Sequence, residues 1–495
     1  MAAAPTFQAL WDQYYPTYNV YFISQTNWGG TYYTGLGSSG AFGNGYIPLF
    51  AVVGGNNVCF YNDNYISGVQ PAIEESLLSF ELTAIIASNV QTGPPALGVQ
   101  FQSNSVSPTG NIDSWEWDFD GDGTFDSTEE NPYHFYEIEG VYNVTLRITD
   151  GEETVETTLE GYITVTDGTS IEGPLSGIWN PDYGTYTITG DAWIPEGSEL
   201  EIGAGTQITI NNNSQIEVNG KLSANARDEE TITFYSDDEW NGILFSNTQE
   251  DNIINNCIFS NVSTSCIQIE YDSYVEIIEN WFINNSSSSN KGTAIDVIGS
   301  NNVYIHKNVI ANNINTNLTG GISCDGASPI ISNNLIVNNG SASALAGAFS
   351  VKSGSAPTII NNTIANNQAS SCCIFIFNSS PVIMNSIIIH DGNMFNAIGG
   401  GPTITYTCIS GGYTGEGNID VDPLFEQPST GNGPEYNGYN ALWYLTEDSE
   451  CIDAGNPAEE YYDIEDPADP GFALWPAMGT LTNDMGVFGG EGFFE

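Results

Sequence analysis

Seven isoleucines set the strongest constraint on this chain: Ile253, Ile277, Ile305, Ile331, Ile359, Ile383 and Ile404, spaced 24, 28, 26, 28, 24 and 21 residues apart. Five positions after each stands another apolar residue: Ile258, Phe282, Ile310, Ile336, Ile364, Ile388 and Ile409. Polar turns follow, several of them built on an Asn pair (Asn284-Asn285, Asn312-Asn313, Asn338-Asn339, Asn366-Asn367). Short β-branched strokes recurring at this period, closed by Asn and Gly, read as a β-solenoid. Each rung then adds one side chain to an inward apolar stack and one to an Asn stack at a corner.

A second ladder reinforces the reading. Ile267, Ile295, Ile322, Phe349 and Ile374 align, and two residues on come Ile269, Val297, Cys324, Val351 and Ile376. Positions i and i+2 of a strand share a face, so both sets point inward. The residues between them, Gln268, Asp296, Ser323, Ser350 and Phe375, are expected to form one outward stripe.

The charge is as unusual as the period. Six Lys+Arg stand against 61 Asp+Glu, a formal charge of -55, although charged residues are only 14% of the 495. The imbalance comes from missing cations more than from acidic excess. Such a surface repels phosphate backbones and anionic headgroups, which argues against nucleic-acid and membrane-surface partners, and it attracts divalent cations. No apolar run is long enough for a membrane-spanning helix. The first ten residues lack the basic and apolar regions of a signal peptide. Eight cysteines show neither a CxxC nor a zinc spacing; small apolar core thiols and disulfides between rungs are both open readings.

Along the chain, residues 1–90 read as α/β: a helix at Phe7–Tyr14, strands at Asn19–Ser24, Pro48–Val53 and Asn57–Tyr61, and a helix at Pro71–Leu82. This order resembles the C-terminal half of a thioredoxin-like fold, with Ile47-Pro48 where that family has its cis-proline. Cys59 sits mid-strand, and the family's Cys-x-x-Cys has no counterpart in the segment. Ala87–Pro95 reads as a linker, and residues 96–167 then alternate apolar and polar in short strands. Three successive motifs in this span carry a resemblance: Ser114-Trp-Glu-Trp-Asp-Phe-Asp-Gly-Asp-Gly, Asn131-Pro-Tyr-His134-Phe-Tyr136 and Gly140-Val-Tyr-Asn-Val-Thr-Leu146. They resemble the PKD domain, which implies an immunoglobulin-like β-sandwich used as an extracellular spacer or contact module.

From Tyr186 the sequence resembles the opening rungs of right-handed parallel β-helices, the superfamily of pectate lyases and of many bacterial surface proteins. The β-helix is placed at 175–419, and the aperiodic remainder, 420–495, is expected to cap it. The chain therefore reads as mainly β and multidomain.

The sharpest local motif is Asp118-x-Asp120-x-Asp122-Gly123-Thr124-x-Asp126-x-x-Glu129. Oxygen ligands at alternate positions, with Gly at the sharp turn, fit a calcium loop between strands. Asp118, Asp120, Asp122, Thr124, Asp126 and Glu129 are its expected ligands, in a structural role. The tail holds a second acidic group, Asp453, Asp463, Glu465, Asp466, Asp469 and Asp484. The β-helix resemblance implies polysaccharide lyase or hydrolase chemistry, but the residues those enzymes use are sparse here. Only Lys221, Arg227, Lys291, Lys307 and Lys352 are basic in the solenoid, and neither His306 nor His390 lies in a Gly-His-Gly. Asp237-Asp238 reads as an exposed turn, while Asp296 and Asp325 are expected in different strand columns.

The preferred reading is a non-catalytic extracellular or cell-surface structural or adhesive protein that self-associates into a fibre or meets a surface or glycan ligand. A polysaccharide-active enzyme and a non-catalytic carbohydrate-binding protein are the alternatives.

Overall fold

A computed structural model describes residues 50–53, 59–63, 81–108, 110–151, 153–227 and 230–490. The expected elements at 7–14, 19–24 and most of 71–82 lie outside these, as does Ile47-Pro48. Within the first segment, strands Phe50–Val53 and Cys59–Asp63 pair antiparallel.

The sandwich is built from two sheets, antiparallel except where Thr92–Gly93 runs parallel to the end of Glu153–Val165. Strands Ile86–Ser88, Leu97–Ser103 and Tyr133–Tyr136 make one; Thr92–Gly93, Glu153–Val165, Gly140–Asp150 and Ser114–Asp118 make the other. The stretch read as a linker thus contributes two short strands. Alternation along Leu97–Ser103 and Ser114–Asp118 turns Phe101 and Trp117 inward, where their ring centroids lie 5.5 Å apart, and Phe119 stacks on Phe101 at 5.0 Å. All three are buried, with Val144, Leu146 and Ile148 from the longest neighbouring strand.

The β-helix has three faces of parallel strands. One rung shows the order: Val275–Ile278 on the first face, Trp281–Ile283 on the second and Ile295–Ile298 on the third. Register is kept from rung to rung, with Ile277↔Ile305, Phe282↔Ile310 and Ile295↔Ile322 in line. One apolar core runs through the whole stack. Like side chains pile on like, and Phe234, Phe259 and Phe282 stack at 4.9 and 5.0 Å with nearly parallel rings.

The isoleucine ladder is in register except at its first member. Ile253 pairs with Glu276 and Ile254 with Ile277; likewise Ile258 meets Trp281 and Phe259 meets Phe282. Ile254 and Phe259 are buried in place of Ile253 and Ile258. Side-chain direction has a period of two, so a one-residue slip moves a residue to the other side of the sheet. Adjacent isoleucines at 253 and 254 hide that choice from the sequence.

In four central rungs Asn residues close two corners each. After the first face, Asn280, Asn308, Asn334 and Asn362 form a buried ladder. Asn308 Nδ2 donates to Asn334 Oδ1 (2.9 Å) and to the carbonyls of Ile277 and His306 (2.9 Å each), while the Asn308 backbone N–H donates to the same Oδ1 (3.0 Å). After the second face, Asn285, Asn313, Asn339 and Asn367 repeat the arrangement. A corner leaves backbone groups without a ladder partner, and the carboxamide supplies both a donor and an acceptor in the right sense. The residue preceding each ladder Asn takes a left-handed φ: Glu279, Asn284, Lys307, Asn312, Asn333, Asn338, Asn361 and Asn366. Asn tolerates this conformation better than other non-Gly residues.

The C-terminal segment lies along the β-helix. Only its start closes the end, where the Ile409 N–H donates to the Ile419 carbonyl (2.9 Å). Beyond that, the outer Asn of each pair grips the segment's backbone. Asn312 Nδ2 donates to the Pro434 and Tyr436 carbonyls (2.8 and 2.6 Å), and Asn338 Nδ2 to those of Gly431 and Gly433 (2.8 and 3.1 Å). At the other corner Asn333 Nδ2 donates to the Val487 and Gly489 carbonyls (3.1 and 2.7 Å). Between these two rows Trp443 packs on Val309, Ala311, Val337 and Ala365, the outward residues of the second face. That face is apolar on both sides, which explains its runs of unbroken β-branched residues.

Two predictions follow from these contacts. Asn334→Ala removes a ladder member that makes several buried hydrogen bonds. We expect a loss of about 2–4 kcal/mol, read by chemical denaturation, from orphaned polar groups costing roughly 1–3 kcal/mol each; a loss below about 0.5 kcal/mol, the range of neutral surface changes, would contradict the ladder's role. The second concerns pH. Asp463 and Asp484 are buried in the C-terminal segment. Burial and then the Asp484 charge push the Asp463 carboxyl up to about 8; burial and the Asp453 charge push Asp484 up to about 7, against hydrogen bonds from the Asp453 and Met478 N–H groups. The folded chain thus holds protons that ordinary carboxylates near pH ~4 release on unfolding. Stability is therefore highest at the acidic end of this window and falls as pH rises toward about 8. Asp463→Asn is expected to reduce that decline between pH 5 and 8, by at least about 1.4 kcal/mol, the worth of one pKa unit; an unchanged slope in thermal melts counts against it.

Candidate cation site in the acidic loop

The loop after strand Ser114–Asp118 is wrapped around one carboxylate. Asp118 Oδ1 accepts from the Asp120 and Gly121 N–H groups (3.2 and 2.7 Å), and its Oδ2 accepts from the Gly123 N–H (2.9 Å). The two glycines sit at φ 75° and 87°, which L side chains avoid. Asp126 closes the loop, its Oδ2 accepting from the Phe119 N–H (2.9 Å) and its own N–H reaching the Trp117 carbonyl (2.6 Å). Phe125 is held under the Arg147 guanidinium, 4.0 Å from the ring centroid, and Arg147 pairs with Glu116 at 2.6 Å. The Trp117 indole N–H donates to the Glu129 carbonyl (2.9 Å), which fixes the loop's exit.

Among the six expected ligands, Asp118, Asp120 and Asp126 converge: one carboxylate oxygen from each lies within 4.8 Å of the others. Asp118 is buried and the other two are exposed. The Asp122 and Glu129 carboxylates lie outside that group. Asp122 Oδ1 instead accepts from the Thr124 N–H (2.6 Å), an Asx turn, and Glu129 contributes its backbone at the loop exit. Three hard oxygen donors at one end of a turn suit a calcium-sized cation, with further oxygens from backbone or water. His134, stacked on Phe119 at 4.4 Å, flanks the group; burial lowers its pKa, and the charges of Asp126 and Asp120 act in the opposite direction.

The polar stripe of the third face is arranged differently from its sequence expectation. Gln268, Asp296, Ser323 and Ser350 do align. All four are buried, not presented to solvent. Before strand Ile295–Ile298 the Gly292 N–H donates to Asp296 Oδ1 (3.2 Å), and Lys291 Nζ meets Gln268 Oε1. Asp296 and Asp325 lie in different columns, as expected: Asp296 pairs with Ser323 and Ile298 with Asp325, on adjacent strands of this face. Burial raises the Asp296 carboxyl. Asp325 also feels burial, but hydrogen bonds from Ser353 and Lys352 hold it below the usual range, and Lys352 Nζ lies 3.2 Å away. Asp237 and Asp238 are exposed in a turn before the buried Trp240. Asn212, Asn261, Asn284, Asn361 and Asn378, each of which begins an N-x-S/T sequence, have left-handed backbones.

Comparison with known proteins fits this geometry. Residues 85–165 match the PKD domain family and residues 241–410 the right handed beta helix region. A stretch of 76 residues is 46% identical to collagenase ColQ1 of Bacillus cereus (strain Q1), covering 15% of this chain and 8% of that enzyme. Among the described residues no helix is long and apolar enough to cross a membrane. PKD and β-helix modules are typical of extracellular proteins. The chain carries a PKD domain over 85–165 followed by a right-handed parallel β-helix, and this pairing fits a surface or polysaccharide-related protein.

Proposed function

We propose that this protein is an extracellular structural or adhesive element, a scaffold that self-associates into a fibre or docks on a cell-surface or glycan ligand, with a calcium-stabilised loop in its PKD domain. The observation that carries the reading is the use the chain makes of its own sheet faces. The second face is covered by the C-terminal segment through Trp443, and the central polar stripe of the third is buried. Sheet surface on which a parallel β-helix could set out reactive groups is spent here on holding the molecule together. The collagenase likeness spans 8% of that enzyme, so it speaks for the module and not for proteolysis.

The acidity supports the same reading. A formal charge of -55 keeps copies apart at low salt, and divalent cations reduce that repulsion. Assembly is therefore expected to rise with calcium and ionic strength. Electron microscopy with light scattering on the full chain checks this; a monomer under every calcium and salt condition, binding neither cells nor glycans, would refute the scaffold.

Calcium is expected to stabilise the full chain by about 2.7 kcal/mol when present at roughly a hundred times its dissociation constant. Asp120→Ala should abolish the calcium-dependent shift in melting temperature while leaving the calcium-free melt near its starting value. The same shift in the variant rules out the loop as the binding site.

A further inference from the structure

Seven cysteines fall within residues whose side chains are described, and all are buried thiols. Cys257, Cys266, Cys324 and Cys373 belong to the apolar core of the β-helix, where they fill space as small hydrophobes. Cys408 and Cys451 are placed differently. Cys408 lies on the last strand of the second face, Cys408–Ile409, and Cys451 on the C-terminal segment that runs beside it. Both are fully buried in one apolar cluster with Ile387, Leu445 and Met485. Their side chains lie against each other in this cluster, and the Cys408 thiol also reaches the Val421 carbonyl (3.4 Å).

Both backbones are anchored. The Cys408 N–H donates to the Ser386 carbonyl (2.9 Å), and the Cys451 carbonyl accepts from the Met485 N–H (3.0 Å). The Cys451 N–H donates to Ser449 Oγ (3.2 Å). The thiols therefore meet because two ordered elements dock, not because a loose loop brings them near. The position matters, since this is where the C-terminal segment crosses the final rung, on the face whose apolar side it covers.

We propose that Cys408 and Cys451 form a cross-linking site, joined by a disulfide that fastens the C-terminal segment to the last rung. The chemistry is thiol–disulfide exchange with a small disulfide such as oxidised glutathione. One cysteine thiolate attacks the glutathione disulfide, forming a mixed disulfide and releasing one glutathione thiol. The second cysteine thiolate attacks the cysteine sulfur of that mixed disulfide, forming the Cys408–Cys451 bond and releasing the second glutathione. Two protein thiols are oxidised and one glutathione disulfide is reduced to two thiols, so electrons and protons balance. Because both sulfurs are buried in the docked form, exchange takes place before docking or during local lifting of the segment. Once made, the bond closes the loop between 408 and 451 and restricts the unfolded chain. The cross-link rests on the docking geometry and forms where the thiol–disulfide poise is oxidising.

The test uses the full chain, equilibrated in an oxidised/reduced glutathione couple, then denatured and alkylated with iodoacetamide without reductant. The expected intact mass shows all but two of the eight cysteines alkylated. A chymotryptic digest should yield a peptide joining Cys408 to Cys451, and dithiothreitol should lower the melting temperature by several degrees. Cys451→Ala should lose the dithiothreitol response. If that variant does not fold, the wild-type alkylation mass and peptide map decide alone. Alkylation of all eight cysteines after oxidation, or a cross-link joining a different pair, overturns the proposal.

Discussion

The corner carboxamide is the interaction on which the β-helix depends. A parallel strand satisfies its backbone along the ladder, but each rung must bend, and a bend leaves N–H and C=O groups facing a dry interior. The inner Asn at each corner donates to carbonyls of its own turn and the rung before, and it accepts from the Asn behind it through both backbone and side chain. Each bond of this kind is worth about 1 kcal/mol net, while an unmet buried group costs more, so the ladder matters chiefly by preventing that loss. The left-handed residue before it makes the bend sterically possible.

The same corners hold the C-terminal segment. In each Asn-Asn pair the second residue faces in and sustains the stack; the first faces out, and at Asn312, Asn333, Asn338, Asn361 and Asn366 it donates to backbone carbonyls of the segment. A side chain favoured for its backbone conformation thereby also becomes a docking group. The two outer rows flank the apolar second face, and Trp443 fills the space between them. Solenoid and segment are one packed body in this region, and the face most exposed to edge-on or face-on aggregation is covered.

Much of this was legible in the chain. The isoleucine period, the apolar residue five positions on and the second ladder gave the rungs, because core packing in a solenoid repeats the same contact at the same interval. The Asn stack after the second face was visible as Asn pairs. Its twin after the first face was less so, since Asn280 and Asn308 follow Glu279 and Lys307 rather than Asn; the signal was their recurrence at Asn334 and Asn362 five residues before the other ladder. The slip at Ile253 arose where two isoleucines are adjacent. The burial of Asp296 and Ser323 has no periodic signature, and the docking of 425–490 rests on contacts more than sixty residues apart in sequence, such as Asn366 with Ser429. In the acidic loop the alternation of carboxylates was plain, and Asp118, Asp120 and Asp126 converge, while the Glu129 carbonyl accepts from the Trp117 indole.

Native-state hydrogen exchange tests the central claim, that the inner Asn ladders bear the β-helix, most directly. The corner amides of Asn280, Asn285, Asn308, Asn313, Asn334 and Asn339 each donate to the Oδ1 of the next rung's Asn. They are expected to exchange only with global unfolding, as slowly as the amides of the apolar strands. Exchange at those corners as fast as in the exposed turn at 237–239 would contradict the account.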